Sequence, residues 1–176
     1  MPDLLPAPKR RAVLAAAIGA SFGARAGFQV REWPATQPPP PFSLNDLEQK
    51  PWRVAELRGR AVILNFWATW CEPCRAEMPA LETLAARHRA DALVVLTVNF
   101  RESEATIRRF LEQQPITLPI LLDPTGHTTR AWTPGVFPST VLIDRQGRPR
   151  RIVVGEFDWS GGEARTWTNE LIRSAG

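Results

Sequence analysis

One junction constrains this chain more than any other. Ala61-Val62-Ile63-Leu64-Asn65-Phe66-Trp67, a nearly continuous apolar run, leads after three residues into Cys71-Glu72-Pro73-Cys74 and then into Ala80, Leu81, Leu84 and Ala85 at helical spacing. An unbroken apolar run reads as a central strand covered on both faces. The cysteines then fall at the N-terminus of a helix set at the carboxyl end of that strand. Pro73 suits the first turn, where its missing N–H has no helical partner to lose. Free amides and the positive end of the helix macrodipole stabilise a thiolate there, so Cys71 is expected to be nucleophilic near neutral pH. The spacing also brings Cys74 close enough to close a small disulfide ring. Cys71, at the cap, is the expected attacker of a partner disulfide, and Cys74, one turn in and more buried, the expected resolver of the mixed disulfide. Glu72 between them adds a negative charge beside the developing thiolate. That raises the thiol pKa and weakens the stabilisation of the reduced form that makes strong oxidants oxidising, which points to a reductant.

Composition narrows the alternatives. With 44% apolar and 23% charged residues among 176, the chain is too apolar and too mixed in charge to stay disordered, and its length favours one domain. Two cysteines are too few for a disulfide-scaffolded mini-protein or a four-thiolate zinc site. His88 and His127 lack finger-like spacing from Cys74 or from each other and read as solvated or helix-end residues. The net charge of +4 sits mostly at the start, where Lys9, Arg10, Arg11 and Arg25 face only Asp3. A nearly neutral body gives no basic face for nucleic acid, and none is expected as a partner.

The N-terminal segment has its own pattern. Lys9-Arg10-Arg11 precedes the small apolar stretch Ala12 to Ala24, and Ala24-Arg25-Ala26 fits a small-x-small cleavage site. Residues 1–26 are therefore read as an export signal. Arg10-Arg11 fits a twin-arginine signal in part, with Lys9 where that motif prefers Ser or Thr, so the export route stays open. Left uncleaved, the segment would tether the protein to the inner membrane. Residues 27–41, with Pro34 and the run Pro38 to Pro41, read as a Pro-rich linker, and residues 42–176 as the folded domain.

Within that domain, Phe42-Ser43-Leu44 and Trp52-Arg53-Val54 read as short edge strands of a hairpin turning near Gln49-Lys50-Pro51. Leu93 to Asn99 forms a second buried strand, and Glu102 to Leu111 a helix capped by Ser103 with Ile107, Phe110 and Leu111 as its apolar stripe. Pro119 to Asp123 is a short strand, and a short helix fits between Pro124 and Trp132. Val136-Phe137-Pro138-Ser139 opens another apolar strand ending at Asp144, which turns back into Arg151 to Gly155, and a last helix spans about Gly162 to Ile172. Strand and helix alternate as in a parallel α/β protein.

These residues resemble a known family. Trp70-Cys71-x-x-Cys74 between strand and helix, Phe137-Pro138-Ser139-Thr140 before a strand, and the closing hairpin and helix look like a thioredoxin fold. The Asn65-Phe66-Trp67-Ala68-Thr69-Trp70 lead-in, the insertion from about Asn99 to Asp123, and Gly155 with Trp159 are similar to the exported TlpA/ResA-like thiol-disulfide oxidoreductases of the thioredoxin superfamily. The resemblance implies an α/β, thioredoxin-like fold, with a central mixed sheet flanked by helices, an N-terminal β-hairpin and a central αβ insertion. It implies a bacterial envelope redox protein, in the periplasm or another extracytoplasmic compartment, whose Cys71–Cys74 pair cycles between dithiol and disulfide with no other cofactor and no metal. It further implies a cis peptide bond before Pro138, which would contact the substrate chain. Where cytoplasmic thioredoxins carry a buried Asp, this chain has Asn65, which accepts no proton. Glu77 matches a Glu of the TlpA/ResA-like group and shares a helix face with Cys74, so it is the expected proton-handling carboxylate.

Trp70, Glu72, Pro73 and Phe137 are the candidates for substrate contact. Trp67 reads as core, while Trp132, Trp159 and Trp167 could form a partner surface. The favoured activity is a disulfide reductase that passes electrons from a membrane thiol donor of DsbD/CcdA type to oxidised envelope proteins, such as apocytochrome c or a copper-site assembly protein. A copper metallochaperone-like module using Cys71 and Cys74 as soft ligands is the alternative; Met78 is near, but no suitably spaced His supports it. A thiol peroxidase would place Pro, Thr and Cys together, which this chain does not.

Overall fold

The computed structural model describes residues 27–90 and 92–174. Its centre is the strand Ala61–Trp67 (β4), buried along its whole length as the apolar run requires. Parallel to β4 lies Leu93–Phe100 (β5), followed by Ile120–Asp123 (β6); on the other side run Ser139–Ile143 (β7) and Pro149–Gly155 (β8), antiparallel. One more strand, Phe28–Glu32 (β1), pairs antiparallel with β8, so the mixed sheet reads β1-β8-β7-β4-β5-β6.

The strand β1 corrects the expected linker over 27–41. Pro34 and the run Pro38 to Pro41 do leave that stretch without regular structure, but Phe28 to Glu32 contain no Pro and can donate to a ladder, and they complete the sheet edge. The ordered fold therefore begins well before residue 42. The expected export signal, residues 1–26, lies outside the described residues. Among the described residues no helix is long and apolar enough to cross a membrane.

The expected hairpin is present as Ser43–Asn45 (β2) and Pro51–Arg53 (β3), with Leu44 opposite Trp52, though as a separate two-stranded sheet and not as edge strands of the main one. Its turn is held by Asp46, whose carboxylate accepts from the N–H groups of Glu48 and Lys50 and from Trp52 Nε1. Among the described residues four α-helices flank the sheet: Glu72–Arg87 (α1), Glu104–Gln113 (α2), His127–Trp132 (α3) and Gly162–Arg173 (α4). Alternation along β4 divides the core between the two faces. Ile63 and Trp67 pack with Met78, Leu81, Ile107 and Leu171 from α1, α2 and α4, while Val62, Leu64 and Phe66 pack with Phe42 and Trp132. Trp67, Trp132, Trp159 and Trp167 are all buried, so the last three form core and not a partner surface.

The docking of β1 depends on one glycine. Gly155 has φ 98°, and a Cβ there would sit 2.0 Å from the carbonyl oxygen of Gly27. Gly155→Ala is expected to destabilise the protein by about 2–4 kcal/mol, through strain and the loss of this close approach. Urea unfolding of the two proteins measures it.

Candidate active site

The reactive end of the molecule is set by strand pairing. Phe66 in β4 lies opposite Ser139 in β7, so the loop after β4 and the loop before β7 emerge together at one end of the sheet. The first loop carries Trp70 and Cys71 and runs directly into Cys74 in the first turn of α1. The second carries Val136, Phe137 and Pro138, and the Phe137–Pro138 peptide bond is cis. Pro138 is buried, and its carbonyl accepts from Gly155 N–H at 2.8 Å, which ties the loop to the end of β8.

Cys71 is the N-cap of α1 and is joined to Cys74 in a disulfide, with their Cα atoms 5.3 Å apart. The Cys71 Sγ accepts from the Cys74 N–H at 3.3 Å, so the sulfur sits among the free amides of the helix start. Cys71 keeps 5% of its surface exposed and Cys74 none, which is the order an attacker and a resolver require. Glu72 and Pro73 are exposed beside them.

An apolar cluster adjoins the pair through Trp70, the residue before Cys71. Trp70 is 65% exposed and meets the Phe137 ring edge-on at 5.8 Å, and Phe137 in turn packs on Phe100 at 5.1 Å. Val136, 49% exposed on the same loop, extends this surface. Val136 read in the sequence only as the lead-in to a strand. Large exposed apolar groups clustered beside a reactive disulfide are what a site for an unfolded or extended protein chain would present.

Glu77 lies one helical turn beyond Cys74 on the same face of α1 and is buried, not solvated. Its Oε1 accepts from the Phe157 N–H at 2.7 Å, and its Oε2 lies 3.4 Å from Asn65 Nδ2, which also donates to Thr140 Oγ1 at 3.0 Å. Burial pushes the Glu77 carboxyl up from 4.5 to about 8, against the Phe157 N–H that favours the charged form, with the negative charge of Glu156 adding to the rise. A carboxyl that titrates near 8 can hold or release a proton in the range where thiols also titrate.

A second carboxylate, Glu102, reaches the same loop from the start of α2. It accepts from Thr69 N–H, Thr69 Oγ1 and Asn99 Nδ2. The sequence marks it only as a polar residue before the Ser103 cap, because its partner Thr69 is 33 residues away. His88 caps α1 and His127 opens α3, and no group of three or more His, Cys, Asp or Glu able to hold a metal occurs among the described residues.

A capped cysteine pair at the end of a central strand, facing a cis-Pro loop on a thioredoxin-like fold, defines a thiol-disulfide oxidoreductase. The same class appears among similar proteins. The chain is 37% identical over 116 residues to the thiol-disulfide oxidoreductase ResA of Geobacillus thermodenitrificans, covering 66% of this chain and 67% of that one. It is 40% identical over 122 residues to the thioredoxin-like protein YneN of Bacillus subtilis, covering 68% and 71% of the two chains. Among solved structures, a putative thiol:disulfide interchange protein DsbE from Chlorobium tepidum superposes with a TM-score of 0.71 at 27% identity, over 77% of this chain and 96% of the other. Residues 35–151 match the AhpC/TSA family, and the chain belongs to that family, with ResA-type thiol-disulfide oxidoreductases as its relatives.

Proposed function

We propose that the protein works as a disulfide reductase on oxidised proteins of the bacterial envelope. Cys71 thiolate attacks one sulfur of a substrate disulfide, forming a mixed disulfide and releasing the other substrate sulfur as a thiolate, which takes a proton. Cys74 then attacks Cys71 Sγ, expelling the second substrate thiolate and closing the Cys71–Cys74 ring. The substrate gains two electrons and two protons, and the enzyme loses them. A membrane thiol donor of DsbD/CcdA type would restore the dithiol. Substrates of the cytochrome c maturation or copper-site assembly kind fit an apolar cluster that takes an extended cysteine-bearing chain.

The observation that carries this reading is the cysteine pair at the start of α1 with the buried Glu77 carboxyl on the same helix face. Cys74 must lose its proton to attack, and Glu77 is the group on that face that can exchange one. Cys71 is the nucleophile, Trp70, Glu72, Pro73 and Phe137 contact the substrate, and Pro138 holds the loop against which the substrate backbone lies. Glu72, exposed beside Cys71, disfavours the thiolate and supports the reducing direction.

The test is insulin reduction in dithiothreitol together with a redox titration of the pair against glutathione. Reduction well above the dithiothreitol blank, with a potential closer to thioredoxin at about −270 mV than to the strong oxidant DsbA at about −120 mV, is expected. A value at the oxidising end would reverse the assigned direction. A protein with this role works outside the cytoplasm, with residues 1–26 as export signal or, if retained, as inner-membrane tether. Fractionation of cells expressing the full chain tests this, and recovery from the cytoplasm alone would contradict it.

A further inference from the structure

We propose that Glu102 is the positioning residue of the attacking cysteine: its carboxylate clamps the turn that sets Cys71 opposite Cys74. Thr69 N–H donates to Glu102 Oε2 at 2.7 Å and Thr69 Oγ1 to Oε1 at 2.5 Å, a two-pronged hold on one residue of the turn. Asn99 Nδ2 adds a third bond at 2.8 Å from the neighbouring strand, where Asn99 lies in register with Trp67. All three donors are neutral. Both carboxylate oxygens are therefore committed, one to the loop and the other to the loop and β5 together. The turn itself closes with Cys71 N–H on Ala68 O at 3.1 Å, two residues from the clamp.

The backbone is bent to make this contact. Arg101 has φ 58°, a left-handed conformation that L side chains rarely adopt, and its N–H is pinned to Asp123 O at 3.0 Å. Gly126 leaves the room for it, since a Cβ there would come within 2.9 Å of Arg101 Cδ and 2.4 Å of Phe100 Cε2. Strain of this kind persists where the surroundings over-determine it. What it achieves here is the return of the next residue, Glu102, onto Thr69.

The clamp acts on the equilibrium in which the Cys71–Cys74 disulfide and two glutathione thiols exchange for the dithiol and one glutathione disulfide. A turn held in place keeps Cys71 at a high effective concentration against Cys74, and a released turn lowers it. The effect is the same for a reductase or an oxidase, so it rests on the cysteine pair alone.

The experiment measures that equilibrium, and the thermal midpoint in parallel, for the full chain and for Glu102→Ala, Glu102→Gln and Thr69→Val. Glu102→Ala is expected to lower the constant for ring closure about tenfold, raising the potential by ~30 mV. Glu102→Gln should stay within roughly threefold of the parent, because its carbonyl in the place of Oε2 still accepts from Thr69 N–H and Asn99 Nδ2, and its amide in the place of Oε1 can donate to Thr69 Oγ1. An unchanged constant in Glu102→Ala, even with a lowered midpoint, would make Glu102 a loop stabiliser only and overturn the proposal. Equal shifts in the Ala and Gln variants would assign the effect to charge and overturn it too. Should Glu102→Ala fail to fold, Thr69→Val carries the test: removing one prong should weaken ring closure by about threefold, and no shift would refute the clamp.

Discussion

Replacing Cys74 by Ser is expected to turn the protein from a catalyst into a trap. Cys71 keeps its place at the start of α1 and its line of approach past Trp70, so it still attacks a substrate disulfide. Nothing then closes the ring that expels the substrate, and the mixed disulfide accumulates. Insulin reduction should fall by at least about 10²-fold, because two groups acting as a unit lose nearly everything when either is removed. The same variant expressed in the native envelope should carry covalently bound protein that dithiothreitol releases, identified by mass spectrometry. Cys71→Ser should lose the same activity and trap nothing. Recovery of trapped protein from Cys71→Ser, or of none from Cys74→Ser, would exchange or remove the assigned roles.

The second large effect is a dependence of stability on pH that belongs to Glu77. Its carboxyl binds a proton more tightly in the folded protein, at about 8, than in the unfolded chain, at 4.5. Between those values the folded state holds more protons than the unfolded one, so stability is full below 4.5, falls as pH rises through the window, and is lost by about 8. Between pH 5 and 8 the decline amounts to about 3–4 kcal/mol from this group, an order-of-magnitude figure. Glu77→Gln removes the titrating proton and should flatten the curve by that amount. The measurement is urea unfolding of both oxidised proteins across that range, where the disulfide keeps the thiols from titrating. A parallel curve for the variant would mean that the buried carboxyl does not carry the effect. The same substitution should slow release of substrate from the mixed disulfide by roughly 10²-fold or more near neutral pH, the scale of a positioned acid or base. An unchanged release rate and unchanged thiol pKa would leave Glu77 a structural residue.

The parts of the site that are local in the chain are the parts the residues announce. The apolar run of β4, the cysteines with Pro73 at a helix start, Glu77 one turn beyond Cys74 and the Phe137-Pro138 lead-in to β7 depend on spacings of a few residues, and period and propensity report such spacings. Ser103 caps α2 as its position suggests, through the Thr106 N–H. Residues that act at a distance carried no such mark. Phe28 to Glu32 looked like the front of a linker because the prolines behind them dominate the stretch, and they become β1 through pairing with β8 more than a hundred residues away. Trp132, Trp159 and Trp167 could not be sorted into core or surface from spacing, and the sheet faces buried them.

Glu102 is the sharpest case. In the chain it is one acid in Arg101-Glu102-Ser103-Glu104, a polar run of the sort that opens many helices. In the fold it holds Thr69, beside the nucleophile. The cysteine pair at a helix start, to which we assign one attacking and one resolving thiol, is set by residue type and short-range spacing, since those fix dipole, reach and the ring that can close. That Glu102 meets the same turn, and that Glu77 is buried against the Phe157 N–H, followed from strand pairing and burial. These join residues far apart in the chain, and the free energy that joins them is shared across the whole core.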